Sequence, residues 1–384
     1  MPPLRLLYAW DRFLPTTATD AEQATSTISA LARRGVEVTL LMPRARDGAG
    51  MSAEQICAHY KVSGGFRVEH VPVPFVEQLL VRKACFTAHV LTRAALPAHD
   101  VVYTRNSAVF LALIARGARV IYDTHRAWPD HLPFSKPVFK LAMTRKNFAG
   151  AVFHSDYARE SYARLGVDEA RLRTMRNGFD PARFTSGVTS AAARAELGLP
   201  LDRKLVVYTG HISAMKGLGS VLDLAAHNRE ALFLLVGSEG DGSVERAAQK
   251  HDNVRVLPWQ PYDVAAKYMV SADVLLLPPS SVGLKVAGHT VLPMKLYGYL
   301  AAGRAVLAPS TPDIAELLVD GQNAVLVPPS EPELAARALA DLLADDTRGE
   351  RLAAAALEMS KGLTWDARAE KLEAFIRERL EKMS

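Results

Sequence analysis

The chain has 384 residues, 49% of them hydrophobic and 23% charged, which is typical of globular rather than disordered proteins. It is too long for one ordinary core and suits two domains. No apolar run approaches the roughly 20 residues that cross a bilayer, and the start, MPPLRLLYAWDRFLP, lacks the features of a signal peptide. Because the only cysteines, Cys57 and Cys85, lack metal-ligand spacing, we expect a cytoplasmic protein without disulfides or zinc.

Positive charge is concentrated in the first half of the chain. Residues 1–188 contain 25 Lys and Arg against 16 Asp and Glu, whereas the remainder contains 21 against 25. A basic half can face a membrane surface, an anionic substrate or nucleic acid. The sequence has no recognised nucleic-acid module and no basic stripe interleaved with aromatic residues, so we expect no nucleic-acid partner.

The first half alternates short runs of Val, Ile and Leu with helical patterns. The predicted strands are LRLLYA, VEVTLLMP, FRVEHVPV, DVVYTR, RVIYDTH and GAVFHS. Helices are predicted between them, including residues 21–34, 75–96 and 156–165. Continuous apolar strands separated by helices predict a parallel sheet covered on both faces.

The second half repeats this pattern. Its predicted strands are KLVVYTG, ALFLLVG, NVRVLP, DVLLLPP, AVLAPS and NAVLVPP. Gly, Pro and Ser gather in residues 179–204, where we place the boundary. We therefore predict two doubly wound α/β domains, residues 1–185 and 190–364, with a C-terminal helix in 365–384 that packs back onto the first.

A glycine turn in the second half predicts an anion site. In VVYTGHISAMKGLGSVLDLAA, Gly210 and His211 follow a predicted strand, and Lys216 and Gly217 precede a predicted helix. The glycine lets the backbone approach a ligand, the lysine adds positive charge at a helix N-terminus, and His211 could donate a hydrogen bond to the same group. A phosphate or diphosphate would fit there; an ordinary turn with a solvated lysine is the alternative.

The segment TVLPMKLYGYLAAGRAV predicts a second helix N-terminus suited to anions. Pro293 suits a first helical position and Gly303 a C-terminal cap. The free N–H groups of Val291 and Leu292 could then face a ligand. Lys295 lies in the first turn, where a cation is unfavourable for the helix dipole unless an anion offsets it.

Taken together, these segments resemble a family-four glycosyltransferase of the GT-B fold, and the resemblance covers nearly the whole chain. YTGHISAMKG resembles the segment that such enzymes write as Gly-Arg or Gly-His, four residues, then Lys-Gly. LPMKLYGYLAAGRAVLAPSTPDIAELLVDGQNAVLVPP resembles their donor-binding half. TWDARAEKLEAF and RLRTMRNGFDPARF resemble their closing segment and the segment before the interdomain linker.

The resemblance implies two Rossmann-like domains facing across a cleft, with a nucleotide diphosphate sugar as donor on the second. It makes Lys216 a catalytic group that stabilises the departing diphosphate, with His211 in the usual arginine position. It also implies retention of anomeric configuration, no cofactor and no metal; the sequence contains no Asp-x-Asp. The predicted donor-binding residues are Gly210, His211, Lys216, Gly217, Thr290, Val291, Leu292 and Lys295.

The chain departs from the family pattern at the donor ribose. The family places an acidic residue at position 298, and often another eight residues earlier, but this chain has Gly298 and Thr290. A carboxylate that accepts from ribose hydroxyls contributes about 1.5–3 kcal/mol per charge-assisted hydrogen bond. Three alternatives remain: a transferase that holds the ribose differently, a weakened enzyme, or a non-catalytic partner.

In the first domain, VIYDTHRAWPDH ends a predicted strand with Asp123 and His125. The resemblance makes His125 a catalytic residue near the reacting sugar, with an imidazole that could bind hydroxyls and exchange protons around neutrality. A structural histidine at a strand end is the alternative. The predicted acceptor-side residues are Asp11, Thr19, Asp20 and Arg105.

Two predicted helices, 75–96 and 134–148, mix apolar residues with Lys and Arg. Such surfaces can lie on an anionic membrane, although most amphipathic helices face a core. We predict a cytoplasmic glycosyltransferase, with peripheral contact at the inner membrane face as one alternative. Its acceptor would be a glycan or lipid-linked precursor in cell-surface polysaccharide or lipopolysaccharide biosynthesis. An inactive GT-B scaffold or binding subunit and a nucleotide-sugar epimerase are the rival functions.

Overall fold

The computed structural model describes residues 2–16, 18–45, 48–73, 78–92, 98–184, 188–282 and 292–383. The chain divides into two compact units, one formed by Met1–Asn177 with Trp365–Ser384 and the other by Gly178–Thr364. The segment 179–204, in which the sequence places the boundary, lies within the second unit.

The first unit contains a seven-stranded sheet of order β3-β2-β1-β4-β5-β6-β7, in which every registered pair is parallel. Its strands are β1 (Arg5–Ala9), β2 (Glu37–Ala45), β3 (Arg67–Val73), β4 (Val101–Thr104), β5 (Val120–Thr124), β6 (Phe148–Phe153) and β7 (Leu172–Thr174). Chain order reverses between β1 and β4, and such reversals are where parallel sheets bind ligands.

Helices cover both faces of this sheet. They are α1 (Thr19–Arg33), α2 (Ala53–Tyr60), α3 (Leu79–Thr92), α4 (Ser107–Ala115), α5 (Trp128–His131), α6 (Lys136–Met143) and α7 (Asp156–Ala163), with the C-terminal α15 (Trp365–Glu381). On one face, the rings of Phe110 in α4, Tyr122 in β5 and Phe139 in α6 stack. On the other, α15 packs against α1 and β6; a Cβ at Gly150 would lie 2.6 Å from Phe375 Cζ, so the glycine permits that close approach.

The second unit contains a six-stranded parallel sheet of order β10-β9-β8-β11-β12-β13. The strands are β8 (Leu205–Thr209), β9 (Leu232–Ser238), β10 (Val254–Pro258), β11 (Val274–Leu276), β12 (Ala305–Pro309) and β13 (Val325–Val327). The helices are α8 (Ser190–Glu196), α9 (Gly219–His227), α10 (Ser243–Ala248), α11 (Tyr262–Ser271), α12 (Lys295–Ala301), α13 (Pro332–Ala344) and α14 (Asp346–Ser360). Alternate residues of β8 enter separate apolar clusters on its two faces, which is why this strand is apolar throughout.

The two doubly wound α/β sheets predicted from the sequence are confirmed. The details differ at element ends. The helix predicted to begin at Pro293 begins at Lys295, because Met294 is its N-cap residue. The short edge strand β7 was not predicted, since its three residues include the charged Arg173. Within the described ranges, no helix combines the length and apolar character needed to cross a bilayer.

Candidate functional site

The predicted anion site of the second unit lies where β8 ends, between its neighbours β9 and β11. Chain order reverses there, so the ends of these strands are free to bind a ligand. The Tyr299 hydroxyl accepts a hydrogen bond of 2.8 Å from the Thr209 N–H, which ties α12 to the end of β8. Because Lys295 lies one helical turn before Tyr299, this contact places the lysine beside the strand end.

The Lys295 ammonium lies over the Tyr208 ring, with Nζ 3.5 Å from the ring centroid. Burial lowers the pKa of Lys295 well below its ordinary value, and the nearby charge of Lys216 lowers it further. Lys216 itself is exposed, at the end of the 3-10 turn Ala214–Lys216. The two predicted lysines therefore lie near enough for the charge of Lys216 to act on Lys295, and no carboxylate of the described residues forms an ion pair with either.

Two predicted glycines shape the space around these lysines. Gly210 has φ +127°, and a Cβ there would lie 2.8 Å from Lys295 Nζ, so any side chain would displace the ammonium. Gly217 has φ +72°, and a Cβ there would lie 2.6 Å from the Ser280 Cβ. Both positions therefore require glycine for conformation as well as for space.

The remaining predicted donor residues are less closely associated with the lysine pair. His211 is exposed, and its Nδ1 lies 3.7 Å from the Glu239 carboxylate. Leu292 is buried, and its side chain belongs to the apolar core beneath α12. Thr290 and Val291 lie outside the described residues.

Gly298, where the family pattern has an acidic residue, lies in the interior of α12. A Cβ at this position would be 3.2 Å from Met269 Sδ and 3.7 Å from Phe184 Cζ. The surroundings of position 298 are therefore apolar, and the contact with Met269 is made by the flexible end of a side chain.

In the first unit, the buried carboxylate of Asp123, at the end of β5, is the centre of a polar cluster. Its Oδ2 accepts hydrogen bonds from the Tyr103 hydroxyl and, at 3.0 Å, from Arg368 Nη2. Its Oδ1 lies 2.7 Å from His154 Nε2 and 3.9 Å from Arg105 Nε. We call these five residues the Asp123 cluster.

Charges within the Asp123 cluster fix its protonation. Burial alone would raise the pKa of Asp123, but hydrogen-bonded His154 and two guanidinium groups, those of Arg368 and Arg105, lower that pKa well below its ordinary value. Burial lowers the pKa of His154 and outweighs the opposite effect of Asp123. A neutral His154 therefore donates from Nε2 to the carboxylate, and its Nδ1 accepts from Asn177 Nδ2 at 3.2 Å.

The predicted catalytic histidine, His125, is half-buried one residue beyond β5. Its Nδ1 lies 3.5 Å from Arg105 Nη2. Because a guanidinium can only donate, a neutral ring in this contact carries its proton on Nε2. Burial and the charge of Arg105 lower the pKa of His125 well below its ordinary value, which favours the neutral ring around neutrality.

The other predicted acceptor-side residues surround the end of β1. Asp11 is buried, with Oδ2 3.8 Å from Lys83 Nζ. Thr19 is exposed at the start of α1, and Asp20 accepts from Arg12 Nε at 2.9 Å. Of this set, Arg105 alone contacts His125, and its Nη1 also donates to the Asp20 carbonyl at 3.3 Å.

Of the residues in or beside the Asp123 cluster, four were not predicted as site residues from the sequence: Tyr103, His154, Asn177 and Arg368. His154 directly follows β6, the neighbour of β5, so the adjacency of parallel strand ends could have suggested that it lies near Asp123. Arg368 is separated from Asp123 by 245 residues, and no local pattern indicates that contact.

Comparisons with known proteins agree with this architecture. The family model described as Glycosyltransferase Family 4 matches residues 22–183, and that described as Glycosyl transferases group 1 matches residues 190–359. The D-inositol 3-phosphate glycosyltransferase of Xylanimonas cellulosilytica is 29% identical, over 88% of this chain and 87% of the relative.

Solved structures match over almost the whole chain. Sucrose-phosphate synthase from Thermosynechococcus elongatus has a TM-score of 0.77 at 17% identity, covering 99% of this chain and 100% of that one. Anabaena HepE in complex with UDP-glucose has a TM-score of 0.70 at 18% identity, with 99% and 100% covered. These likenesses confirm the predicted GT-B fold. With a family model matching each half, the chain belongs to the family-four glycosyltransferases.

Proposed function

We propose that this protein transfers a sugar from a nucleotide diphosphate sugar to a glycan or lipid-linked acceptor, with retention of anomeric configuration. The observation that carries the proposal is the ammonium pair of Lys216 and Lys295 at the end of β8. Two mutually repelling cations beside a glycine turn are unfavourable in the free protein, and a diphosphate would neutralise both.

The proposed roles follow from the charges of each unit. Lys216 and Lys295 would stabilise the negative charge that develops on the diphosphate as the sugar departs. A neutral His125 would donate a hydrogen bond from Nε2 to a hydroxyl of the sugar or acceptor. Arg105 would hold that ring in place and add positive charge beside it.

The names of similar proteins suggest the first substrates to test. HepE was solved with UDP-glucose, and the Xylanimonas relative is named for D-inositol 3-phosphate. We therefore place UDP-sugars first among donors, beside GDP, ADP and dTDP sugars. Inositol phosphate is a soluble acceptor to compare with lipid-linked glycans, and NMR of the product would show whether the anomeric configuration is retained.

The donor site is tested by calorimetric titration of the four nucleoside diphosphates against Lys216→Ala. Losing one charge-assisted contact of about 1.5–3 kcal/mol should weaken binding roughly 10- to 150-fold. Lys250→Ala is the matched control, since Lys250 is also exposed, on the second unit, and without an ion pair in the described part of the chain. If no diphosphate binds, or if both variants bind as the wild type does, the proposed donor site is refuted.

An exposed apolar stripe on the first unit supports a lipid-linked acceptor and membrane contact. Phe134, Val138 and Leu141 are 78%, 48% and 62% exposed, and their spacing aligns them along one side of α6 and the turn before it. The opposite side of α6 is buried, so this stripe is not needed for packing. Lys136 and Lys140 are exposed on the same helix and form no ion pair within the described ranges.

We propose that this stripe docks on an anionic bilayer, where each basic residue near the surface contributes about 1 kcal/mol. Sedimentation with anionic vesicles should recover the wild type and lose Phe134→Ser/Leu141→Ser. Leu201→Ser is the control, because Leu201 is 64% exposed on the second unit. Equal sedimentation of all three proteins, or equal binding to zwitterionic vesicles, would contradict docking by this surface.

A second candidate function, a non-catalytic binding subunit, is favoured by Gly298. Among the described residues, Met269 and Phe184 are the nearest neighbours of a Cβ at this position, and neither carries a carboxylate. Nucleotide binding without transfer or donor hydrolysis would favour this function. Turnover that is lost in His125→Gln would exclude it.

A further inference from the structure

The Asp123 cluster contacts the chain at the two places where it crosses between the units. Asn177 is the last residue before the chain enters that unit, and Trp365 is the first after it returns. Asn177 Nδ2 contacts His154 Nδ1 at 3.2 Å, and Arg368, in the first turn of α15, donates to Asp123 Oδ2 at 3.0 Å. Arg368 therefore contacts the Asp123 carboxylate directly, and Asn177 contacts it through His154.

Arg368 is held firmly in this position. It is 3% exposed, and its Nη1 also donates to Thr27 Oγ1 of α1 at 3.2 Å. With Arg368 on Oδ2 and His154 on Oδ1, both oxygens of Asp123 are occupied, so the carboxylate cannot rotate without breaking a hydrogen bond. Such a fully bonded buried carboxylate has a single orientation.

The orientation of Asp123 is transmitted to His125 through Arg105. The Arg105 side chain is 10% exposed; its Nε lies 3.9 Å from Asp123 Oδ1, and its Nη2 lies 3.5 Å from His125 Nδ1. One guanidinium thus contacts the carboxylate with one nitrogen and the imidazole with another. If the carboxylate moved, Arg105 would follow the negative charge and leave His125.

We propose that Arg368 is a positioning residue, which holds Asp123 from the C-terminal helix so that Arg105 keeps His125 in one position and one tautomer. The proposal rests on the proposed role of His125 in transfer. It assigns to α15 a part in the site, in addition to its packing against α1 and β6.

The charges around His154 give this proposal a readout that packing alone would not change. The ring faces Asp123 from β5, Arg105 from the end of β4, Arg368 from α15 and Asn177 from the crossing, with His125 at 5.9 Å between ring centroids. The two arginines oppose protonation of His154 and the carboxylate favours it. Removing one arginine while the carboxylate remains should therefore raise the pKa of His154.

The test is a ring-proton NMR titration of the full-length protein, with His154 and His125 assigned from their Gln variants. Arg368→Gln removes the charge, and its shorter side chain no longer reaches Asp123 as Nη2 does, so it should raise the His154 midpoint by about one pH unit. Arg368→Lys should return it towards the wild-type value. Arg379→Gln is the matched control, because Arg379 is a buried arginine of the same helix that donates to the Ala149 carbonyl instead.

Kinetics provide the second readout. Displacing His125 should lower kcat of Arg368→Gln about 10- to 100-fold and leave the donor KM unchanged, because the donor lysines lie on the other unit. A folded Arg368→Gln with an unchanged His154 midpoint, or an equal shift in Arg379→Gln, would overturn the proposal. If the variants do not fold, the NMR shifts of the ring nitrogens in the wild type test the proposal. A His154 protonated on Nδ1 would contradict the hydrogen bonds to Asp123 and Asn177 from which the proposal is argued. The NMR titration does not require activity and can be read even if no transfer is detected. Failure of the proposed function can therefore be distinguished from failure of the proposed role of Arg368.

Discussion

Replacing Lys295 with methionine should stabilise the free protein and weaken nucleotide binding. Burial and Lys216 both lower the pKa of Lys295, so in the folded chain its charged form is disfavoured. Methionine has a similar length and can keep contact with the Tyr208 ring, which lies 3.5 Å from the ammonium. The substitution therefore removes the charge and leaves the packing nearly unchanged.

The size of the effect follows from three contributions. An uncompensated buried polar group costs about 1–3 kcal/mol in protein mutational data. In the wild type, the cation–π contact with Tyr208 offsets up to about 2 kcal/mol of this cost. In the variant, a methionine–aromatic contact contributes about 0.3–1.5 kcal/mol in its place. The net gain should be about 1 kcal/mol at pH 7, which raises Tm by about 2–4 °C for a domain of 150–250 residues.

The sign of the pH dependence separates this explanation from a simple packing effect. A lysine whose folded pKa is lowered destabilises fully below that pKa, and the cost fades as the pH rises towards the unfolded value of about 10.4. The difference in Tm between Lys295→Met and wild type should therefore narrow as the pH rises. In complex with a diphosphate the order reverses, since the ammonium then contributes about 1.5–3 kcal/mol to binding.

The assay is differential scanning calorimetry of both proteins across this pH range, with and without the nucleoside diphosphate that binds best. Lys267→Met is the control, because Lys267 is on the same unit but is paired with Glu196. That variant should show neither the gain in stability nor the loss of ligand binding. A less stable Lys295→Met that binds the diphosphate as well as the wild type would refute the reasoning.

Three further predictions test the two sites. Gly210→Ala should weaken diphosphate binding at least tenfold, because its Cβ would meet Lys295 Nζ; Gly219→Ala, where a Cβ meets nothing within 4 Å, should bind as the wild type does in the same titration. In pH–rate profiles, kcat should stay level between about pH 6.5 and pH 8, because the pKa of His125 is lowered; a loss centred near 6.5 that disappears in His125→Gln would contradict this. Gly298→Glu should tighten UDP about tenfold or more without changing the affinity for a 2′,3′-dideoxy analogue, and weaker UDP binding would show that Met269 and its neighbours have replaced the ribose contact.

The sheets could be predicted from the sequence because their strands are continuously apolar and regularly spaced. The burial of all five residues of β8 and of β12 reproduces the apolar runs directly. The ends of elements were less predictable, since they depend on capping and local contacts. At α12, the proline signal placed the start two residues too early, because Pro293 precedes the N-cap residue.

Both the lysine pair and the Asp123 cluster could be predicted only in part. Lys216 and Lys295 each stand beside a recognisable strand–turn–helix junction, so their positions at the end of the sheet follow from local patterns. Their mutual repulsion depends on how α12 is tied to β8 by Tyr299, which no local pattern specifies. The Arg368 contact requires the chain to return to the first unit, so only the tertiary structure reveals it.

Both sites leave positive charge at the carboxyl ends of parallel strands, by different means. In the second unit, Lys216 and Lys295 have no carboxylate partner among the described residues. In the first, one carboxylate, Asp123, faces two guanidinium groups, and the adjacent imidazoles are held neutral. The arrangement in the second unit is not the most stable one for a free protein, because unpaired charge in a desolvated site is costly, whereas in the first unit the guanidinium groups favour the charged form of Asp123. An anionic ligand removes the cost in the second unit, so variants that reduce the charge of the lysine pair should gain stability only as they lose affinity.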